Sequence, residues 1–317
     1  MNVTERVIQE QFPFWAGALR VDLPVVEAPL VVVVGCGTSY YLAQTIASAF
    51  NQNGRNALAV PGGEWARRPQ SYVANRHGVC VLALSRSGES TETVQAVDAS
   101  RAAGLRTIAI TCEKDSAIAR AAETTVYLPT HADEGVVMTS SASLMLIAGL
   151  RMAGALLDDA ITTAAQAPLG ILGEIDTDLI AGRGHFVYLG AGALYGIASE
   201  GALKLQEMSL SYAQTFHPME YRHGPISLID ERSLVVLLYS EDTRDEEAKL
   251  AREIQDKGGK VIGLGGPGDV SIPLKGTGLA RLPEMLPALQ LFGERIAGSK
   301  QLDTTAPRHL TKVVVLA

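Results

Sequence analysis

Five residues recur at one fixed interval: Gly35, Gly37, Ala43, Ser85 and Gly104 are matched by Gly190, Gly192, Ala198, Ser240 and Gly259, each 155 residues later. A period of that length is the size of a whole domain rather than of a solenoid unit, so the chain reads as a duplicated fold with one sheet per half. The content of each half narrows the fold. β-Branched runs at 31–34, 79–84, 106–111 and 125–128 alternate with amphipathic stretches, and runs at 185–190, 233–240 and 260–265 do the same after the repeat. Strand and helix in alternation predict an α/β protein whose parallel sheets are covered on both faces, a three-layer αβα arrangement in each half. The segment between, 153–180, is Ala-rich and reads as helical, apart from a break at Ala167-Pro168-Leu169-Gly170. The expected divide is near residue 165, with domains at 1–165 and 166–317.

Composition removes several functional classes. At 47% hydrophobic and 19% charged residues, against about 25% charged in an average globular chain, the sequence can fill large cores and is not disordered. Its 27 basic and 34 acidic residues leave a net charge of −7, which excludes a general attraction to nucleic acid. The most apolar stretch, 143–157, contains Arg151 and falls short of the roughly 20 apolar residues that span a bilayer, so it predicts a buried helix and no membrane partner. The first residues, MNVTERVIQEQ, are acidic where a secretory signal begins basic, and a cytoplasmic location is expected. Cys36, Cys80 and Cys112 are an odd, widely spaced set without a CxxC, and the histidines form no HExxH. Free buried thiols and no metal are the expectation.

Each half opens with strand, Gly-x-Gly and helix, at Gly35-Cys36-Gly37 and Gly190-Ala191-Gly192. Glycines there let a backbone approach a ligand at a helix N-terminus. A dinucleotide fingerprint needs a further small residue three positions on, where Tyr40 and Tyr195 stand. No acidic residue follows about 20 residues after Gly37, so no nicotinamide or other cofactor is implied. A Walker loop and a GxSxG elbow are also absent. After the strand at 79–84 comes Ser85-Arg86-Ser87-Gly88-Glu89-Ser90-Thr91, which combines four hydroxyls and a guanidinium with the amides of a helix start. Capping needs one hydroxyl; this surplus predicts a monophosphate cradle. Ser240-Glu241-Asp242-Thr243 stands at the duplicated position, where carboxylates would repel a phosphate.

The first helix of the second half carries Glu200, Lys204 and Glu207 at spacings of four and three, on one face. By spacing alone this array fits either a solvated surface ion pair or an acid–base group. A following loop, Phe216 to Pro225, concentrates His217, Glu220, Arg222 and His223 and is stiffened by Pro218 and Pro225, a composition suited to function.

With these pieces on view, the sequence resembles the sugar isomerase (SIS) domain family, most closely the isomerase half of glucosamine-6-phosphate synthase. The matching motifs are GCGTSY at 35–40, SRSGES at 85–90, EGALKLQE at 200–207, RHGPISLID at 222–230 and DTTAPRHLTK at 303–312. The resemblance implies two tandem flavodoxin-like SIS domains and aldose–ketose isomerisation of a hexose or hexosamine 6-phosphate through an enediol. A deaminase acting on an amino sugar phosphate and a non-catalytic phosphosugar sensor are the alternatives. It also implies roles for individual residues: Ser85, Ser87 and Ser90 as phosphate ligands, aided by Gly37, Thr38 and Ser39; Glu207 as the base between C1 and C2; Glu200 and Lys204 as its supports; Lys312 at the carbonyl end; and His223 as the ring-opening group, reaching in from the other subunit of a homodimer. Arg86 belongs to the expected cradle, and Val137 and Thr139 are expected to touch the sugar. Two departures stand out. Ser141 occupies a position where the family has lysine, and the glutaminase half has no counterpart in this sequence, so glutamine is not the expected nitrogen source.

Overall fold

The computed structural model describes residues 1–315, and its chain divides into two compact units. The first comprises Met1–Asp159 with the tail from Arg308; the second is Ala160–Pro307. The divide thus falls a few residues before the expected position. The tail, expected in the second domain, groups with the first unit, and the last two residues of that expected domain lie outside the described part.

The first unit is built on β1 (Leu30–Gly35), β2 (Ala57–Pro61), β3 (Val79–Ser85), β4 (Arg106–Thr111) and β5 (Thr124–Tyr127), all parallel, in the order β2-β1-β3-β4-β5. The second has β6 (His185–Gly190), β7 (Ala213–Phe216), β8 (Ser233–Leu238), β9 (Lys260–Leu264) and β10 (Val270–Ile272), again parallel, in the order β10-β9-β8-β6-β7. Read from the first strand of each unit, the two orders are the same flavodoxin-like 2-1-3-4-5. The strand order reverses between β1 and β3, and between β6 and β8. Loops leaving the carboxyl ends of such strands bound the crevice where doubly wound folds take ligands.

Central strands bury both faces, which is why they appear in the sequence as unbroken apolar runs: every residue of β3 and of β8 is buried. The strands that periodicity overlooks, β2, β7 and β10, are short and lie at sheet edges. The helix Ser140–Met152 is buried at every residue except Arg151, as its composition predicts. Arg151 Nη1 donates to the carbonyls of Ala18 and Val21, which satisfies the charge inside the unit. No helix of the described residues is long and apolar enough to cross a membrane.

The expected break at Ala167–Gly170 does not occur. One helix, Ala160–Gly173, runs through Pro168. Proline forfeits a helical hydrogen bond and crowds the carbonyl four residues back. Here that residue is the small Ala164, and the stripe Ile161, Ala164, Ala165, Pro168, Leu169 and Leu172 is buried, against the helix Arg281–Ser299. Tertiary burial of an apolar stripe outweighs the local penalty.

Candidate functional site

In the first unit, the loop after β1 turns through Gly37, whose φ is +55°, before the helix Thr38–Gln52 begins. A Cβ on Gly35 would lie 2.6 Å from the Ser39 backbone, so the tight turn needs glycine at both positions. Thr38 and Ser39 are buried on the first turn of that helix.

The loop after β3 lies beside it in the sheet order. Ser85 Oγ accepts from the Gly88 amide (3.1 Å) and Ser87 Oγ from the Glu89 amide (3.2 Å). These two bonds shape the loop while leaving each hydroxyl proton to donate. Ser90 is the N-cap of the helix Thr91–Ala102, and its side chain makes no capping bond. Three hydroxyls thus converge on a helix start, an arrangement suited to an anion.

Arg86, expected in the cradle, also braces the surrounding backbone. Its guanidinium is buried and donates to the carbonyls of Gly135 (2.9 Å), Val136 (3.0 Å) and Lys312 (3.0 Å). It ties the cradle to the 134–141 segment and to the C-terminal tail. The tail lies along the first unit, with the Lys312 ammonium donating to the Glu134 carbonyl (2.8 Å) and the Thr91 amide pointing at the Val314 carbonyl (3.4 Å). A cavity of about 540 Å³ beside the cradle is lined by Ser87, Glu134 and Lys312, among others.

Glu134 carries no motif and was not among the expected site residues, yet it organises this edge. Its buried Oε1 accepts from the Thr139 amide (2.6 Å) and hydroxyl (3.2 Å) and from the Ser141 amide and hydroxyl (both 3.0 Å), at the start of the helix Ser140–Met152. Serine at position 141 is thereby explained: its hydroxyl completes a carboxylate's shell. Val137 and Thr139, expected to face the sugar, are both buried, and the Thr139 hydroxyl is engaged by Glu134. The sequence shows only a glutamate followed by hydroxyl residues; folding buries its carboxylate against their amides.

In the second unit, the acid–base array lies on the helix Leu194–Ser209. Gly201 and Gly293 allow close packing: a Cβ on the first would meet the Tyr188 ring at 2.8 Å, and one on the second the Lys204 carbonyl at 3.2 Å. With the helix held that near to β6 and to the helix Arg281–Ser299, Glu200 and Lys204 are fully buried. The Lys204 ammonium donates to Glu207 and lies 3.4 Å from Glu200 Oε1. Burial would depress the Lys204 pKa, but the Glu200 and Glu207 charges outweigh it and hold the lysine above its usual value. Glu207, by contrast, is partly exposed. The array is therefore a buried cation presenting one accessible carboxylate, and the solvated ion pair that spacing allowed is excluded.

His217 stacks on Tyr195, with ring centroids 4.2 Å apart. His223 is exposed, in a turn whose Arg222 forms a two-pronged pair with Glu253 at 2.9 and 3.0 Å. That pair fixes the backbone that presents His223, and no hydrogen bond joins its imidazole to another described side chain. At the duplicated cradle position, the buried Glu247 carboxylate accepts from the Ser240 amide (2.7 Å) and the Thr243 hydroxyl (3.2 Å). An internal carboxylate thus occupies this loop and takes up its amide and hydroxyl donors, which is a firmer exclusion of phosphate than repulsion alone.

Comparison with known proteins identifies the family. A match to the SIS domain family covers residues 26–153 and 179–275. The chain belongs to the SIS domain family. Among related sequences, the glutamine–fructose-6-phosphate aminotransferase (isomerizing) of Sulfurisphaera tokodaii is 27% identical over 333 residues, with 100% of this chain and 52% of that protein covered. That of Xylella fastidiosa is 29% identical, with 90% and 52% covered. The SIS chain therefore spans about half the length of these relatives. Among solved structures, a glucosamine-6-phosphate deaminase from Thermotoga maritima superposes with a TM-score of 0.86 at 27% identity, covering 99% of this chain and 100% of that one. The tagatose-6-phosphate ketose/aldose isomerase of Escherichia coli gives 0.79 at 25%, covering 95% and 93%.

Proposed function

We propose that this SIS protein interconverts the aldose and ketose forms of a phosphorylated hexose or hexosamine through an enediol. The observation that carries the reading is the accessible Glu207 carboxylate held by a fully buried Lys204. Aldose–ketose conversion needs a base that removes the C2 proton of the open-chain aldose and returns it to C1, while a donor protonates the carbonyl oxygen. Glu207 is the base, and Lys204 fixes its orientation. Ser85, Ser87 and Ser90 hold the phosphate, with Gly37, Thr38 and Ser39 completing the anion's surroundings. Lys312 meets the carbonyl end, and His223 opens the ring from the other subunit of a homodimer.

The full-length correspondence with the Thermotoga deaminase favours a second outcome of the same enolisation. An amino sugar phosphate isomerises to a C2 imine, and water hydrolyses that to the ketose and ammonia. Glucosamine 6-phosphate and fructose 6-phosphate, incubated with the protein in deuterium oxide and followed by NMR with a parallel ammonia assay, test both. Deuterium at C1 or C2 marks the enediol, and ammonia distinguishes deamination. Glu207→Gln should retain phosphosugar binding and lose at least about 100-fold in exchange. Binding without exchange in the wild-type protein, for every sugar phosphate tried, would make it a sensor rather than an enzyme.

A further inference from the structure

We propose that the second unit contains its own binding site for the phosphoryl group of a small metabolite, beside the carboxyl end of β9. A cavity of about 600 Å³, within the usual range for small-molecule sites, is bounded by the loop 265–277, Arg244, Glu241 and Arg281. Three of its lining side chains are cationic, Arg244, Lys275 and Arg281, and one, Glu241, is acidic.

Arg281 is the decisive residue. It is only 6% exposed, yet no described residue forms a hydrogen bond or ion pair with its guanidinium. The residue as a whole is nearly buried and lines the cavity, so its donors are directed at the cavity and are open to an acceptor that enters it. The surrounding backbone is shaped to keep this one in place. Gly265 has a φ of +83°, and a Cβ there would lie 2.1 Å from Arg281 Nη2. The positive φ favours glycine in this turn, and the guanidinium tip lies directly against it.

The rest of the cavity is pre-formed. The buried Glu284 accepts from the amides of Lys275 and Gly276 at 2.8 Å each, and Glu241 accepts from the Gly278 amide at 2.8 Å. These bonds hold the segment without engaging Lys275 or Arg281 side chains. Arg244 Nε donates to the Gly265 carbonyl (3.1 Å), which steers its remaining donors to the cavity it lines. Three cations outnumber the lining Glu241 and the buried Glu284 behind the segment, which leaves a net positive charge suited to a phosphate monoester, about −1.5 to −2 near neutral pH. Planar guanidinium forks suit phosphoryl oxygens better than they suit a lone point charge.

This site is distinct from the duplicated cradle, which Glu247 fills, and involves no residue assigned to isomerisation. Hydrogen–deuterium exchange of the intact chain, measured by mass spectrometry with added inorganic phosphate, provides a local test. Peptides spanning 265–281 should gain protection, whereas sodium chloride at matched ionic strength should give none. Arg281→Met should weaken the apparent affinity by roughly tenfold or more, as expected for a charged hydrogen bond removed. If that variant fails to fold, the pair Arg244→Met with Lys275→Met changes only exposed side chains and should produce a similar loss. Absence of protection at 265–281, its reproduction by chloride, or an unchanged midpoint in the double variant would overturn the proposal. Isomerase or deaminase activity, read separately, should be unaffected in the double variant.

Discussion

Lys204 shows how one residue's meaning depends on what surrounds it. A lysine three and four positions from glutamates on an exposed helix contributes a few tenths of a kcal/mol. Fully buried beside Glu200 and Glu207, it neutralises charges that would otherwise lack a counter-ion. Lys204→Met should therefore destabilise the protein by about 3–5 kcal/mol, read from urea unfolding at neutral pH. Because its folded-state pKa is raised, the stabilisation Lys204 supplies is complete below the ordinary lysine range and is lost as pH climbs through the raised value. Wild-type stability should fall steeply on that alkaline side, and the variant should lack this component. A loss under about 1 kcal/mol would show the ion pair to be solvated after all.

Among the elements, the two switch-point loops diverged from one plan. Both sheets place a Gly-x-Gly turn with φ of +55° at its second glycine, in Gly37 and Gly192. They then part: the β3 loop offers hydroxyls, and the β8 loop folds over Glu247. Burial raises the Glu247 pKa against the opposing hydrogen bonds from Ser240 and Thr243. A raised acid favours the folded state most when protonated, so its contribution is complete below the ordinary glutamate value and declines as pH rises through the shifted one. Glu247→Gln keeps an acceptor for the Ser240 amide without the buried charge. Its stability at neutral pH should match or exceed the wild type within about 1 kcal/mol, and the decline with rising pH should flatten. Thermal unfolding across acidic to neutral pH checks both; a large neutral-pH loss would mean that the ionised carboxylate is structurally required. Central strands and their loops were legible because apolar runs and glycine turns are local signals. Edge strands and the helix through Pro168 were not, since packing rather than local preference sets them.

For the molecule as a whole, the proposed mechanism needs more than one chain. His223 is an exposed residue on a braced turn, and the homodimer reading makes it part of the other subunit's site. Mixing His223→Ala with Glu207→Gln subunits, each inactive alone, should recover a fraction of wild-type turnover, because each mixed dimer contains one site with both residues intact. No recovery after demonstrated subunit exchange would place His223 in the site of its own chain.

The repeat and the alternation of strand and helix were sufficient to establish two parallel-sheet domains, and the glycine turn and hydroxyl-rich loop to propose an anion site, since strand, helix and turn signals depend on neighbours within a few residues. Other features arise from partners far apart in the chain. Lys312 meets Glu134 across 178 residues and Arg86 meets Lys312 across 226, which carries a tail from the end of the sequence to the first unit. The buried state of Lys204, the carboxylate filling the β8 loop and the unpaired guanidinium of Arg281 belong to the same class. Their character is set by desolvation and by which groups share a low-dielectric interior, and those conditions exist only once the chain has packed.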